Sequence, residues 1–259
     1  MRRPWTSRSF HPLPQAFLAA GRSPTPAGNT LFPMIHNGRR KLPYDTEAAL
    51  AHLRNADAKL AALIDRAGPF TLRLGHSGTP FTSLLESIVY QQLHGKAAAT
   101  IHQRVRAIYR DDDPTPEMLL ATPIEQLRAA GLSANKLAAI RDLAEKALSG
   151  VVPSQRAIQR MADEEIVARL TEVRGIGPWT VQMLLLFRLG RPDVFPVTDY
   201  GVRKGFALTF QRLPRTRAVA AADLPAPEPM LRRARRWAPF RSVAAWYLWR
   251  ACDLSAQNS

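Results

Sequence analysis

The stretch Asp163–Phe206, DEEIVARLTEVRGIGPWTVQMLLLFRLGRPDVFPVTDYGVRKGF, decides how the chain is read. Asp163, Glu164 and Glu165 open a helix, where negative charge meets the positive end of the helix dipole. Ile166, Val167, Leu170 and Val173 supply its apolar face. Arg174-Gly175-Ile176-Gly177 then breaks it, and Pro178 restarts a helix at the first position, where a missing N–H costs nothing. The second helix, Trp179 to Leu189, is apolar nearly all round and is expected deep in the core. Two helices around a Gly-x-Gly turn aim backbone N–H groups and a helix N-terminus at one spot, which suits a phosphate oxygen. That reading expects Gly175 and Gly177 both to use dihedrals closed to other residues, with Ile176 between them. A lone Gly-x-Gly equally serves any tight helix–helix turn. Gly190, Pro192 and Pro196 then mark a loop, and Asp199 stands 22 positions after Gly177 at the start of the next helix.

Outward from this stretch the pattern stays helical. Thr46 is expected to cap a helix carrying Leu50, Leu53, Leu60, Leu63 and Ile64. Thr79-Pro80 reads as N-cap and first helical position, followed by Phe81, Leu84, Leu85, Ile88 and Val89 on one face. Thr115-Pro116 and Thr122-Pro123 repeat the signal, and Glu125 completes a capping box with Thr122. Gly131 ends that helix, and a further one carries Leu137, Ile140, Leu143, Ala144 and Leu148. No alternating strand pattern is present. The expectation is an all-α protein of nine or ten helices, joined by short connections.

The chain of 259 residues is long enough for a sizeable core without staples. No run of 18 apolar residues exists, which argues against a membrane span. One cysteine, Cys252, excludes an internal disulfide, a Cys-based zinc site and a cysteine-held iron–sulfur cluster. Neither a metal nor a cofactor is expected. The net charge of +15 is uneven. Residues 1–43 hold seven basic residues, no acid and seven of the 21 prolines. They read as a disordered tail, with 44–259 as the folded domain and Met34 as an alternative start. Residues 44–202 balance 18 basic against 18 acidic residues, while 203–250 hold 11 basic and 2 acidic. Such a basic block suits a polyanion, as it equally suits a solvated surface.

Hairpin, Gly/Pro-rich loop, then aspartate: in this order the sequence resembles the helix-hairpin-helix DNA glycosylase superfamily. It looks closest to its alkylpurine (3-methyladenine type II) branch. Three segments carry the likeness: SIVYQQLHGKAA at Ser87–Ala98, the stretch quoted above, and RRWAPFRSVAAWYLWR at Arg235–Arg250. Thr198-Asp199-Tyr200 departs from the two acids common in that branch, and the second position, the catalytic one, maps to Asp199. The resemblance implies two helical lobes with the helix-hairpin-helix motif and an active-site cleft between them. It implies duplex DNA carrying damaged bases as partner, action as a monomer, and residence with the DNA, in the cytoplasm of a bacterium or in a nucleus or organelle.

The implied reaction is hydrolysis of the N-glycosidic bond of an alkylated purine, leaving an abasic site. Asp199 would stabilise the oxocarbenium-like sugar; read alone, it is a helix cap. Trp179, Met183, Tyr200 and Phe240 would line the pocket for a flipped, cationic base. Core packing is the competing reading for Trp179 and Met183, and Trp246 and Trp249 read as core. Asp193 reads as a turn residue. Gln92, Leu93 and His94 would form the plug, with Leu93 or His94 filling the gap. Gly175, Ile176 and Gly177, with Lys96, Arg203, Lys204 and Arg241, would meet phosphates. Trp179 stands where bifunctional relatives carry a Schiff-base lysine, which argues for simple hydrolysis. The competing functions are the same scaffold acting on another damaged base and a non-catalytic DNA-binding module. A buried Asp199 separates the enzyme from the module.

Overall fold

The computed structural model describes residues 40–75, 78–93, 95–211 and 220–257. His94 and residues 1–39 of the expected tail lie outside them. Among the described residues there are thirteen α-helices and no sheet, only an isolated bridge between Arg40 and Leu74. The helices are α1 Thr46–Ala56, α2 Ala58–Ala67, α3 Pro80–Tyr90, α4 Gly95–Ile108, α5 Pro116–Ala121 and α6 Ile124–Ala129. They continue with α7 Ala134–Leu148, α8 Gln155–Ile158, α9 Asp163–Leu170, α10 Pro178–Leu184, α11 Tyr200–Phe210, α12 Pro227–Ala234 and α13 Arg241–Gln257. The all-α reading holds; the count of nine or ten was low, in part because a helix expected as one is divided at Asp57.

The helices pack in two sets. The middle of the chain forms one, with α3 and α5 against α7, α4 against α3, and α10 against α3 and α9. The two ends form the other, with α13 against α11 and α2, and α1 against α2. The buried face of α13 wraps nearly all round, from Ser242 to Trp249, so this helix is the axis of the terminal set. The chain passes from the middle set to the terminal set between α10 and α11.

Several local expectations are corrected. The first N-cap is Asp45, not Thr46, because its carboxylate accepts from Glu47 N and Ala48 N. The single helix expected from Thr46 is two, divided at Asp57, which caps α2. Thr122 forms no capping box. It is the C-cap of α5, its hydroxyl donating to Met118 O at 2.8 Å and bonded to Tyr109 OH at 2.9 Å, and Pro123 precedes α6 without a side-chain cap. Leu148, expected on the buried face of α7, is 51% exposed at the end of that helix. The helix expected over Trp179–Leu189 is α-helical only to Leu184 and continues as a π-helical turn, Leu185–Leu189, stopped by Gly190. Thr79 and Thr115 do cap α3 and α5, each followed by proline.

Candidate active site

The hairpin forms as α9, the turn Thr171–Gly177, and α10. Gly175 takes φ +78°, the left-handed region that favours glycine. Gly177 does not: its φ of −103° is open to any residue, and a Cβ there would meet nothing within 4 Å. The expectation of special dihedrals at both glycines is therefore corrected; at Gly177 only the bare surface is left to explain the residue. Ile176 is buried beneath the turn, its N–H bonded to Val173 O. Gly177 is the N-cap of α10, which begins with no side-chain cap. Two neighbours brace the turn. The Asp142 carboxylate accepts from Arg174 N at 2.7 Å, and Gln91 Nε2 donates to Gly175 O at 2.9 Å. Burial pushes the Asp142 carboxyl up, but the Arg174 amide and Lys146, paired at 2.8 Å, outweigh that and hold it below the usual carboxylate range.

Asp199 lies where the two helix sets meet, and it is 5% exposed. Its backbone carbonyl begins α11, and its Oδ1 accepts from Val202 N at 2.8 Å, so it is an N-cap as well. Trp179 Nε1, from α10 of the middle set, donates to Oδ2 at 2.9 Å. Trp249 Nε1, from α13 of the terminal set, donates to Oδ1 at 2.8 Å. All three donors are neutral, and among the described residues no cation pairs with this carboxylate. Burying an ionised carboxylate costs several kcal/mol unless hydrogen bonds compensate, and these three point it in one orientation. A carboxylate so held has a field left over for a positive charge that arrives from outside.

Gly201 completes the arrangement by close approach. A Cβ there would lie 2.6 Å from Trp249 Cδ1 and 3.2 Å from Asp199 Oδ1, so only glycine lets the indole reach the acid. Cys252 backs the same turn: its thiol donates to Gly201 O at 3.3 Å, and burial pushes its pKa up to about 12, so it stays protonated. Trp249 is the residue of this site that sequence reasoning did not place there. It is core, as expected, yet its indole also holds Asp199. The available signal was one small residue, Gly201, two positions after the acid.

The other expected residues fall in different surroundings. Tyr200, next to Asp199, is 57% exposed, while Met183 is partly buried on the second turn of α10. Phe240 packs on Tyr44 and His52, with ring centroids 6.3 and 5.6 Å away. Those ring contacts join it to Tyr44 and to α1. Arg241 is committed within the chain: its Nε and Nη2 each bond the Asp193 carboxylate at 2.7 Å. Asp193 is thus more than a turn residue, for it fixes the loop to the start of α13. Arg203 is half-buried and gives its Nε to Pro225 O, Lys204 is half-buried, and Lys96 is exposed at the start of α4. Gln92 and Leu93 are exposed in the turn after α3, 36% for Leu93.

The comparisons with known proteins follow this geometry. Residues 85–224 match the family model described as HhH-GPD superfamily base excision DNA repair protein. DNA-3-methyladenine glycosylase 1 of Schizosaccharomyces pombe is 36% identical over 206 residues, covering 79% of this chain and 86% of its own. The solved structure of the S. pombe 3-methyladenine DNA glycosylase Mag1 in complex with abasic DNA superposes with a TM-score of 0.69 at 35% identity, covering 81% of this chain and 98% of that one. A DNA-3-methyladenine glycosidase from Bacillus halodurans gives a TM-score of 0.72 at 30% identity, covering 85% and 94%.

Proposed function

The chain belongs to the HhH-GPD superfamily of base excision DNA repair proteins, and from that premise we propose that it is a monofunctional DNA glycosylase that releases alkylated purines of the 3-methyladenine type from duplex DNA. It is an N-glycosyl hydrolase, and its product is an abasic site. The observation that carries the reading is Asp199: buried, oriented by two indoles and a backbone amide, and paired with no cation among the described residues.

An alkylated purine is cationic and leaves readily. As the glycosidic bond lengthens, positive charge grows on the sugar, and the Asp199 carboxylate stabilises it and orients the attacking water. The acid is buried and already aimed by three hydrogen bonds, so little reorganisation is needed at the moment of reaction. The edge of Trp179 is committed to Asp199, which leaves its π faces for a cationic base. Met183 lies one turn along the same helix, and exposed Tyr200 gives a stacking surface at the entrance. Phe240 bounds the far side toward α1. At the lyase position the chain has Trp179 and hence no amine for a Schiff base, so the sugar–phosphate backbone stays intact.

The target base leaves the duplex to be reached. Gln92, Leu93 and His94 form the plug, with Leu93 or His94 filling the gap, the Gly175-Ile176-Gly177 turn on the phosphate backbone and Lys96 and Lys204 adding charge. Arg203 and Arg241, already bonded within the protein, act on DNA through the loops they fix. The protein works as a monomer and resides with the DNA, in a bacterial nucleoid or in a nucleus or organelle. Among the described residues no helix is long and apolar enough to cross a membrane. The test is a panel of duplexes, each with one damaged base, assayed for abasic sites. Release of methylated purines supports the reading; release of another damaged base alone redirects the substrate; no release from any duplex leaves a DNA-binding module.

A further inference from the structure

The turn that carries Gln92 and Leu93 and the hairpin turn at Gly175 come from segments 84 positions apart, yet one side chain joins them. Gln91 is the C-cap of α3, its N–H bonded to Ser87 O, and its Nε2 donates to Gly175 O at 2.9 Å. The chain around it is a tight turn. Gln91 has φ −53° and ψ 134°, Gln92 has φ +59°, and Leu93 N reaches Tyr90 O at 3.4 Å. This is the shape of a type II turn, in which the third position favours glycine. Glutamine there holds a costly conformation, and the costs of such residues persist only where surroundings over-determine them. The hairpin supplies part of that determination through Gln91. From behind, α7 braces both segments: Lys136 Nζ bonds Val89 O at the end of α3, and Asp142 takes Arg174 N–H.

We propose that Gln91 is a positioning residue that locks the plug turn to the hairpin, so that gripping the phosphate backbone and inserting Leu93 into the base stack occur as one movement. The proposal rests on the reading that these two segments meet DNA. In the free protein the Gln91–Gly175 bond is exposed to water and adds little to stability. Under a bound duplex, water is excluded and the same bond stiffens the junction at the moment of insertion.

The experiment uses the full chain and Gln91→Met, which keeps an unbranched side chain of similar length but removes the donor. The duplex holds a stable abasic analogue beside 2-aminopurine, whose fluorescence rises on unstacking. The expected result is an unstacking rate about three- to tenfold slower in Gln91→Met, the span of one neutral hydrogen bond. Duplex Kd stays within about twofold, since a neutral side chain changes no phosphate contact, and Tm within about 1 °C. Single-turnover base release from a paired duplex falls by the same factor, while release from a lesion in an unpaired bulge does not. Unstacking at the wild-type rate overturns the proposal, as does an equal loss on both substrates. A wild type that unstacks DNA faster than Gln91→Met but releases no base leaves this inference standing and removes the glycosylase reading.

Discussion

Two aspartates lie buried in the terminal helix set, and they are built alike until the last partner. Asp57 and Asp199 are 4% and 5% exposed. Each is the N-cap of a helix, α2 for one and α11 for the other, and each accepts an indole N–H, from Trp237 at 3.2 Å and from Trp179 and Trp249 at 2.8–2.9 Å. Asp57 also takes Arg233 in two bonds of 2.7 and 2.8 Å, and that guanidinium lies 4.0 Å over the Phe210 ring. Among the described residues Asp199 has no such partner. Burial alone predicts the same problem for both carboxylates, so the difference lies in how the charge is balanced. At Asp57 the balance is internal and the group is structural. At Asp199 the three neutral donors leave the charge unbalanced among the described residues, and in the proposed reaction the sugar cation balances it.

Removing the charge from each acid in turn is the strongest way to break this comparison. Asp199→Asn is expected to lower base release by 10²- to 10³-fold, the scale of a lost electrostatic stabiliser in a dry site. Asparagine has one acceptor oxygen where two are used, so one indole N–H loses its partner and stability falls by about 1 kcal/mol. Thermal melting and duplex binding, measured beside abasic-site formation, separate the two effects. A variant that is folded, binds DNA and retains full activity would return Asp199 to a mere cap. Asp57→Asn is expected to do the reverse, costing about 3 kcal/mol of stability by leaving the Arg233 guanidinium unbalanced, with turnover per folded molecule unchanged. Burial pushes the Asp57 carboxyl up, but Arg233, the Leu60 amide and Trp237 outweigh it and hold its pKa below the usual value. Its contribution is therefore present above the unfolded carboxylate pKa and is lost as pH falls through the folded one. Asp57→Asn should accordingly show a flatter acid limb in a pH series of melts.

The sequence carried the frame of this comparison unevenly. Glycine and proline made the hairpin and the loop legible through local backbone rules, but it was the family resemblance that singled out Asp199, which alone reads as a helix cap. Burial of Asp57 was not legible: Asp57 and Arg233 are 176 positions apart, and a lone Asp between two alanines reads as surface. For the same reason a single helix was expected where Asp57 divides two. Trp249 reads as core by its spacing, and it is core; that its N–H meets Asp199 depends on the close packing of α11 and α13, which only Gly201 hinted at. Arg241 read as a phosphate contact because its charge is visible and its partner, Asp193, is 48 positions away. Helix type at Leu185–Leu189 was hidden too, since a π turn shares the apolar composition of the α-helix it extends.

Trp249 sharpens the comparison most finely, because it is the side-chain partner of Asp199 that the terminal set contributes. Trp249→Phe keeps an aromatic ring against Phe187, 5.6 Å away, and deletes only the donor to Oδ1. If the indoles serve to orient the acid, the loss is one neutral-to-charged hydrogen bond, about 1.5 kcal/mol, or roughly tenfold in the single-turnover rate. Val202 N still bonds Oδ1 and Trp179 still bonds Oδ2, so the carboxyl group stays capped but gains freedom to turn. Binding of an abasic duplex should be unchanged, because no phosphate contact is touched. If the rate is unaltered while the melt drops, Trp249 acts in packing alone, and the two aspartates then differ by Arg233 and by nothing on the indole side.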